Sequence, residues 1–140
     1  MAVNMSTDKM KVSIIIPVYL LNKELLDLTK ATLQSLRQTQ WENQSVELII
    51  VEDGSPLSIG RDYLIQNSDI YIRGQVNHGF PWAVNKGIQV SSGKLLLISN
   101  NDIRVSKNWL KVAKEIFAQD EKIGSVHYRM LEYEQPIELG

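Results

Sequence analysis

At 140 residues the chain is long enough for one domain with a single hydrophobic core, and 44% hydrophobic against 22% charged residues is an ordinary globular balance. Fifteen basic and sixteen acidic side chains leave a net charge of −1, which gives no broad attraction to nucleic acid or to an anionic membrane. The chain has no cysteine, so disulfides, thiolate catalysis and cysteine-ligated zinc are excluded together. No apolar run approaches the roughly 18 residues that span a bilayer. The polar start "MAVNMSTDKMK" lacks the apolar core of a secretory signal. Residues 1–10 are expected to be a loose leader, no transmembrane segment is expected, and a cytoplasmic location is the default.

"VSIIIPV" (12–18) is a nearly unbroken β-branched run, the pattern of a strand covered on both faces in a parallel sheet. "NKELLDLTKATLQSLRQ" (22–38) predicts a helix with Asn22 as N-cap and Leu25, Leu28, Thr32, Leu33 and Leu36 on one face. "VELIIVE" (46–52) is a second apolar strand, stopped by the turn residues Asp53-Gly54-Ser55-Pro56. A short helix over 59–67 and a strand "DIYIRG" (69–74) follow. "NHGFP" (77–81) is a loop before a helix over roughly 82–92, which Gly93 can close. The strand at 94–99 ends in Asn100-Asn101-Asp102. Ser106 can cap a helix carrying Trp109, Ala113, Ile116 and Phe117, and "KIGSVHYR" (122–129) predicts a fifth strand.

Alternating strands and helices imply an α/β fold, an open and mostly parallel sheet with right-handed crossovers and helices on both faces. In such sheets ligands sit outside the carboxyl ends of the strands. Pro17-Val18-Tyr19, Glu52-Asp53-Gly54-Ser55 and Asn100-Asn101-Asp102 all fall there, so three segments are expected to converge on one rim.

Each motif also has a plain reading. Asp53 can accept a hydrogen bond from a base N–H or a sugar hydroxyl, or it can simply shape a turn. Asp102 is a hard oxygen ligand suited to Mg²⁺ or Mn²⁺ shared with phosphate oxygens, or it caps the next helix. Lys86 can neutralise a phosphate or be a solvated surface lysine. Asn85, next to Ala83, Val84 and Ile88, is expected to face inward, where an amide needs partners. Phe80 and Trp82 either pack or stack on a base. His78 and His127 are far apart and make no metal site. No G-x-S-x-G elbow, P-loop or G-x-G-x-x-G fingerprint is present.

"KVSIIIPVY", "ELIIVEDGS" and "NHGFPWAVNKGIQVSSGKLLLISNND", in this order and spacing, resemble the donor-binding half of family 2 glycosyltransferases of the GT-A fold, over residues 11 to about 129. The resemblance implies a domain over 11–140 that binds a nucleotide-diphosphate sugar, in enzymes of polysaccharide biosynthesis and related transfers. It implies that Pro17, Val18 and Tyr19 line the nucleoside pocket. Asp53 would contact the base, with Glu52 in place of the family's first Asp and Ser55 beside them. Asn77, Gly79, Asn85 and Lys86 would flank base and diphosphate. Asn100, Asn101 and Asp102 stand at the family's Asp-x-Asp, with Asp102 the metal ligand and Asn100 a weak one, so Mg²⁺ or Mn²⁺ is the implied cofactor. Asn-Asn-Asp is also similar to a variant in rhamnosyltransferase-like members, which adds a dTDP-sugar beside a UDP-sugar as donor. The implied reaction inverts the anomeric carbon. Its general base belongs to the acceptor-binding half, which lies beyond the matched region, so the acceptor (saccharide, lipid-linked or protein) is open and the chain is expected to be a truncated form. Glu132, Glu134 and Glu138 are assigned to surface charge. Two other readings stand beside this one: a binding module that holds nucleotide sugar without turnover, and a flavodoxin- or receiver-like domain.

Overall fold

A computed structural model describes residues 9–132. Its elements run β1 (Lys11–Val18), α1 (Lys23–Arg37), β2 (Ser45–Asp53), α2 (Arg61–Gln66), β3 (Ile70–Gly74), α3 (Phe80–Val90), β4 (Leu95–Ile98) and α4 (Trp109–Phe117). All four strands are parallel, in the order β3-β2-β1-β4. β1 is paired on both sides and buried from Val12 to Val18, which explains its unbroken apolar sequence.

Alternate residues of β1 feed two cores. Val12, Ile14, Ile16 and Val18 pack with Leu26, Leu33 and Leu36 of α1, Leu64 of α2, and Trp109 and Leu110 of α4. Ile15 packs on the other face with Ile49, Val51, Ala83 and Trp82, under α3. Helices therefore cover both faces, as expected. The chain winds outward from β1 to β3 and then crosses to the far side of β1 as β4. Right-handed crossovers require α3 to lie on the face opposite α1 when the direction reverses. That reversal opens a crevice between the carboxyl ends of β1 and β4.

Pro17 helps to open it. Ser99 N–H donates to Ile15 C=O at 3.0 Å, and the next bond of a parallel ladder would come from the N–H of residue 17. Proline has none, so the two strands part there.

Several expectations are corrected. Asn22 does cap α1, its Oδ1 accepting from Leu25 N–H at 2.9 Å, but the buried face is Leu26, Thr29, Thr32, Leu33 and Leu36. Leu28 is exposed and Leu25 only half-buried. Leu25, Leu26 and Leu28 offer two adjacent stripes, and tertiary contacts of Thr29 and Thr32 select between them. α3 ends at Val90, and Gly93 does not close it. Gly93 is needed for close approach instead: its N–H donates to Ser13 Oγ at 2.7 Å, and a Cβ would lie 2.4 Å from that oxygen. Ser106 does not cap α4 with its side chain; Asn108 holds the N-cap position, and Ser106 C=O accepts from Trp109 N–H. Residues 122–129 form no strand. The segment is held against α4 rather than along the outer edge of β4: the Tyr128 hydroxyl donates to Trp109 C=O at 2.6 Å, and the two rings meet edge to face. The end of the chain that the sequence left ambiguous lies outside the described residues from 133 onward.

At the amino ends of the strands, Glu47 is buried in β2. It accepts from Ser13 Oγ and Ser92 N–H, both at 2.6 Å, and from Lys11 Nζ at 3.0 Å. Burial alone would push its carboxyl up, but the bonds from Ser13, Ser92 and Lys11 outweigh that and bring it from 4.5 to about 2. The folded value lies below the unfolded one, so this stabilisation is complete above about pH 4.5 and is lost as pH falls toward 2. Glu47→Ala is expected to lower unfolding stability by about 2 kcal/mol at pH 7. Urea unfolding should show the wild type losing that advantage between pH 4.5 and 2; a gap that stays constant would contradict it.

Candidate functional site

Parallel strands present their carboxyl ends on one edge, so the loops after β1, β2 and β4 meet there, together with the loop entering α3. Ser55 joins two of them: buried, its Oγ accepts from Leu20 N–H at 2.8 Å. Pro17 and Val18 are buried, and Tyr19 is half-buried at the edge.

β2 sends its last two residues to opposite faces. Asp53 follows Ile49 and Val51 toward α3, whereas Glu52 follows Ile50 toward α2. Asp53 as a whole residue is only 4% exposed. It accepts from His78 N–H at 2.9 and 3.0 Å, from Gly79 N–H at 2.7 Å, and lies 3.0 Å from His78 Nδ1. It sits at the positive end of α3, where a negative charge is favoured. Gly54 makes this possible: φ is +68°, and a Cβ there would lie 2.3 Å from the Val76 carbonyl carbon.

Glu52 is fully buried, accepting from the Tyr71 hydroxyl and from Arg61 Nε at 3.5 Å, with Arg73 Nε at 4.0 Å. Its Oε1 has no partner among the described residues. Burial, then the bond to and charge of Glu52, push the Tyr71 hydroxyl up to about 12. The sequence places Glu52 beside Asp53 at the site; the structure turns it to the other face.

The loop before α3 leaves Asn77 exposed and stacks His78 on Trp82, with ring centroids 4.0 Å apart at 15°. Lys86 Nζ lies 5.6 Å from the Trp82 ring, one helical turn further on. Asn85 does not face inward. The buried stripe of α3 is Ala83, Val84 and Gly87, which leaves Asn85 on the exposed side.

After β4, Asn101 turns toward α1: its Nδ2 donates to Thr29 Oγ1 at 2.9 Å, and its C=O accepts from Thr32 Oγ1 at 2.9 Å. Ile103 N–H donates to Thr32 Oγ1 and Val105 N–H to Ser35 Oγ. Thr29, Thr32 and Ser35 thus form a polar stripe that holds the strand-end loop. Asn100 and Asp102 point out of it, both exposed. No three acidic or histidine side chains gather among the described residues. Asp102 with Asn100 is a partial set of hard oxygen donors, which fits Mg²⁺ or Mn²⁺ when phosphate oxygens complete the shell.

Surface concavities among the described residues lie away from the rim. One lies between the first turns of α1 and Arg104, and another between α1, the start of β2 and the end of α2. Among the described residues no helix is long and apolar enough to cross a membrane.

A parallel sheet wound both ways from its first strand, with acidic and amide side chains at the strand ends, defines a doubly wound α/β domain with its site at the switch point. Glycosyl transferase family 2 matches residues 13–136, and the chain belongs to that family. Similar solved structures include S. aureus TarS 1–349, with TM-score 0.64 at 21% identity over 79% of this chain and 33% of that one. Another is the mannosyltransferase PcManGT from Pyrobaculum calidifontis in complex with GDP-Man and Mn²⁺, with TM-score 0.66 at 16% identity over 80% and 33%. TarS 1–349 has also been solved in complex with UDP-GlcNAc. The chain spans about a third of the length of these structures. No curated protein sequence matches it. Family membership displaces the flavodoxin- or receiver-like reading.

Sequence reasoning missed His78 as the partner of Asp53 and the α1 stripe as the partner of Asn101. Neither has a local signal, because the pairs are 25 and 72 residues apart. Asp53→Ala is expected to cost about 2–3 kcal/mol of stability, because it removes bonds to a buried charge. Hydrogen exchange at the His78 and Gly79 amides should accelerate relative to the α1 amides. Unchanged exchange there would show that Asp53 does not hold the loop.

Proposed function

We propose that the chain is the donor-binding part of an inverting glycosyltransferase that takes a nucleotide-diphosphate sugar, with a uracil or thymine base, and passes the sugar to an acceptor hydroxyl. The observation that carries this reading is the exposed carboxylate of Asp102 across the switch point from the anchored Asp53, in a family 2 chain. TarS and PcManGT, with their UDP-GlcNAc and GDP-Man complexes, support a nucleotide sugar as the ligand class.

Tyr19, beside the buried Pro17 and Val18, offers a ring face to the nucleoside, and Asp53 offers an acceptor to the base. Asn77, Gly79, Asn85 and Lys86 lie on or after the loop that borders base and diphosphate, with Lys86 the cation for phosphate. Glu52, Ser55 and Asn101 act at one remove by fixing the segments that carry these groups. Asp102, helped by Asn100, would hold Mg²⁺ or Mn²⁺, which when bound offsets the charge of the leaving diphosphate. The acceptor oxygen attacks the anomeric carbon from the side opposite the diphosphate, and the proton of that hydroxyl passes to a general base. No described residue is assigned that role; it belongs to the acceptor-binding half.

Thermal-shift titrations with UDP, dTDP and GDP, each with and without Mn²⁺, test the reading. A ligand at one hundred times its Kd should stabilise the fold by about 2.7 kcal/mol. UDP or dTDP is expected to exceed GDP and to gain from Mn²⁺, and Asp102→Ala should abolish the gain from Mn²⁺. Binding indifferent to both Mn²⁺ and Mg²⁺ would remove the metal role from Asp102. No shift with any nucleotide would contradict the whole reading.

A further inference from the structure

The His78 imidazole does two things that a nucleobase at this place would have to do. It lies flat on Trp82, with centroids 4.0 Å apart and planes 15° from parallel. Its Nδ1 is 3.0 Å from Asp53 Oδ1, and because a carboxylate only accepts, that nitrogen carries the proton. A planar ring that donates an in-plane N–H to Asp53 while stacked on an indole is the shape and polarity of a uracil, thymine or guanine edge. The Asp53 side chain is 6% exposed, and the His78 side chain beside it is 35% exposed. The ring is thus the solvent-facing partner of the carboxylate.

We propose that His78 is a built-in occupant of the base subsite, a stand-in that keeps Asp53 and Trp82 aligned until a nucleobase displaces it. This rests on the donor-binding reading above and adds the residue that controls entry. Displacement needs no backbone movement. The His78 and Gly79 amides hold Asp53 independently of the imidazole, at 2.7 to 3.0 Å, so the loop stays anchored when the side chain turns out. What an incoming base loses to this competition is one hydrogen bond to a charged acceptor and one ring contact. His78 is therefore a specificity-determining residue: only a ring that replaces both interactions gains from expelling it.

The test is a calorimetric titration of UDP with Mn²⁺ into the wild type and His78→Ala, with proton NMR of the imidazole Hε1 signals of the wild type. His78→Ala is expected to bind UDP about three- to tenfold more tightly, because the competitor is gone while the amide anchors remain. In the free wild type the His78 Hε1 signal should lie upfield, under the Trp82 ring. On saturation it should move toward the position of the exposed His127. Equal or weaker UDP binding by His78→Ala, or an Hε1 signal that stays upfield at saturation, would overturn the inference while leaving nucleotide binding intact. UDP binding by neither protein would overturn the inference together with the reading beneath it. The wild-type NMR measurement decides the point even if the variant folds poorly.

Discussion

Two carboxylates on one row of one strand fix where the site is built. On the face of β2 that meets α3, the residues run Glu47, Ile49, Val51, Asp53: acid, apolar, apolar, acid. The apolar pair lies in the core under α3, while each acid takes backbone amides at one end of that helix. Asp53 receives the N–H groups of His78 and Gly79 before α3, and Glu47 receives the N–H of Ser92 after it. The six steps from Glu47 to Asp53 span about 20 Å; the eleven residues of α3 cover about 16 Å of that, and the flanking residues that donate the amides cover the rest. Buried charges are stable only when well bonded, and here the bonding is to main chain whose position cannot drift without breaking them.

The other side of the sheet solves the same problem with hydroxyls. Thr29, Thr32 and Ser35 on α1 take up the amide and backbone groups of 101–105, which leaves Asn100 and Asp102 on the outside of a fixed loop. With Ser55 tying the β2 loop to Leu20 and Asp53 holding the loop before α3, each strand-end segment is fixed by hydrogen bonds within the fold. Rim neighbours are thus divided by direction: Glu52 and Asp53, or Asn101 and Asp102, are adjacent in sequence and turned to different sides.

That division explains what the sequence could convey. The apolar runs of 12–18 and 46–52 announced parallel strands, and the polar clusters at their ends announced the rim, because both are local signals. The motif order gave the family. The direction in which each rim residue points was not legible, since it depends on partners such as His78 for Asp53 and Thr29 for Asn101 that are remote in the chain. The three leucines at 25, 26 and 28 carried two possible stripes, and only the tertiary bonds of Thr29 and Thr32 choose. The segment 122–129 carried strand-forming residues, but Tyr128 ties it to Trp109 of α4, and propensity without a ladder does not make a strand.

The central claim is that these four segments enclose one nucleotide diphosphate. Backbone amide shifts of the chain titrated with UDP and Mn²⁺ test it most directly. The account predicts changes concentrated at Tyr19–Leu20, Asp53–Ser55, His78–Gly79 and Asn100–Asp102. Changes confined to the concavity around Trp41, Val46 and Asp69, with the strand-end amides unmoved, would contradict it.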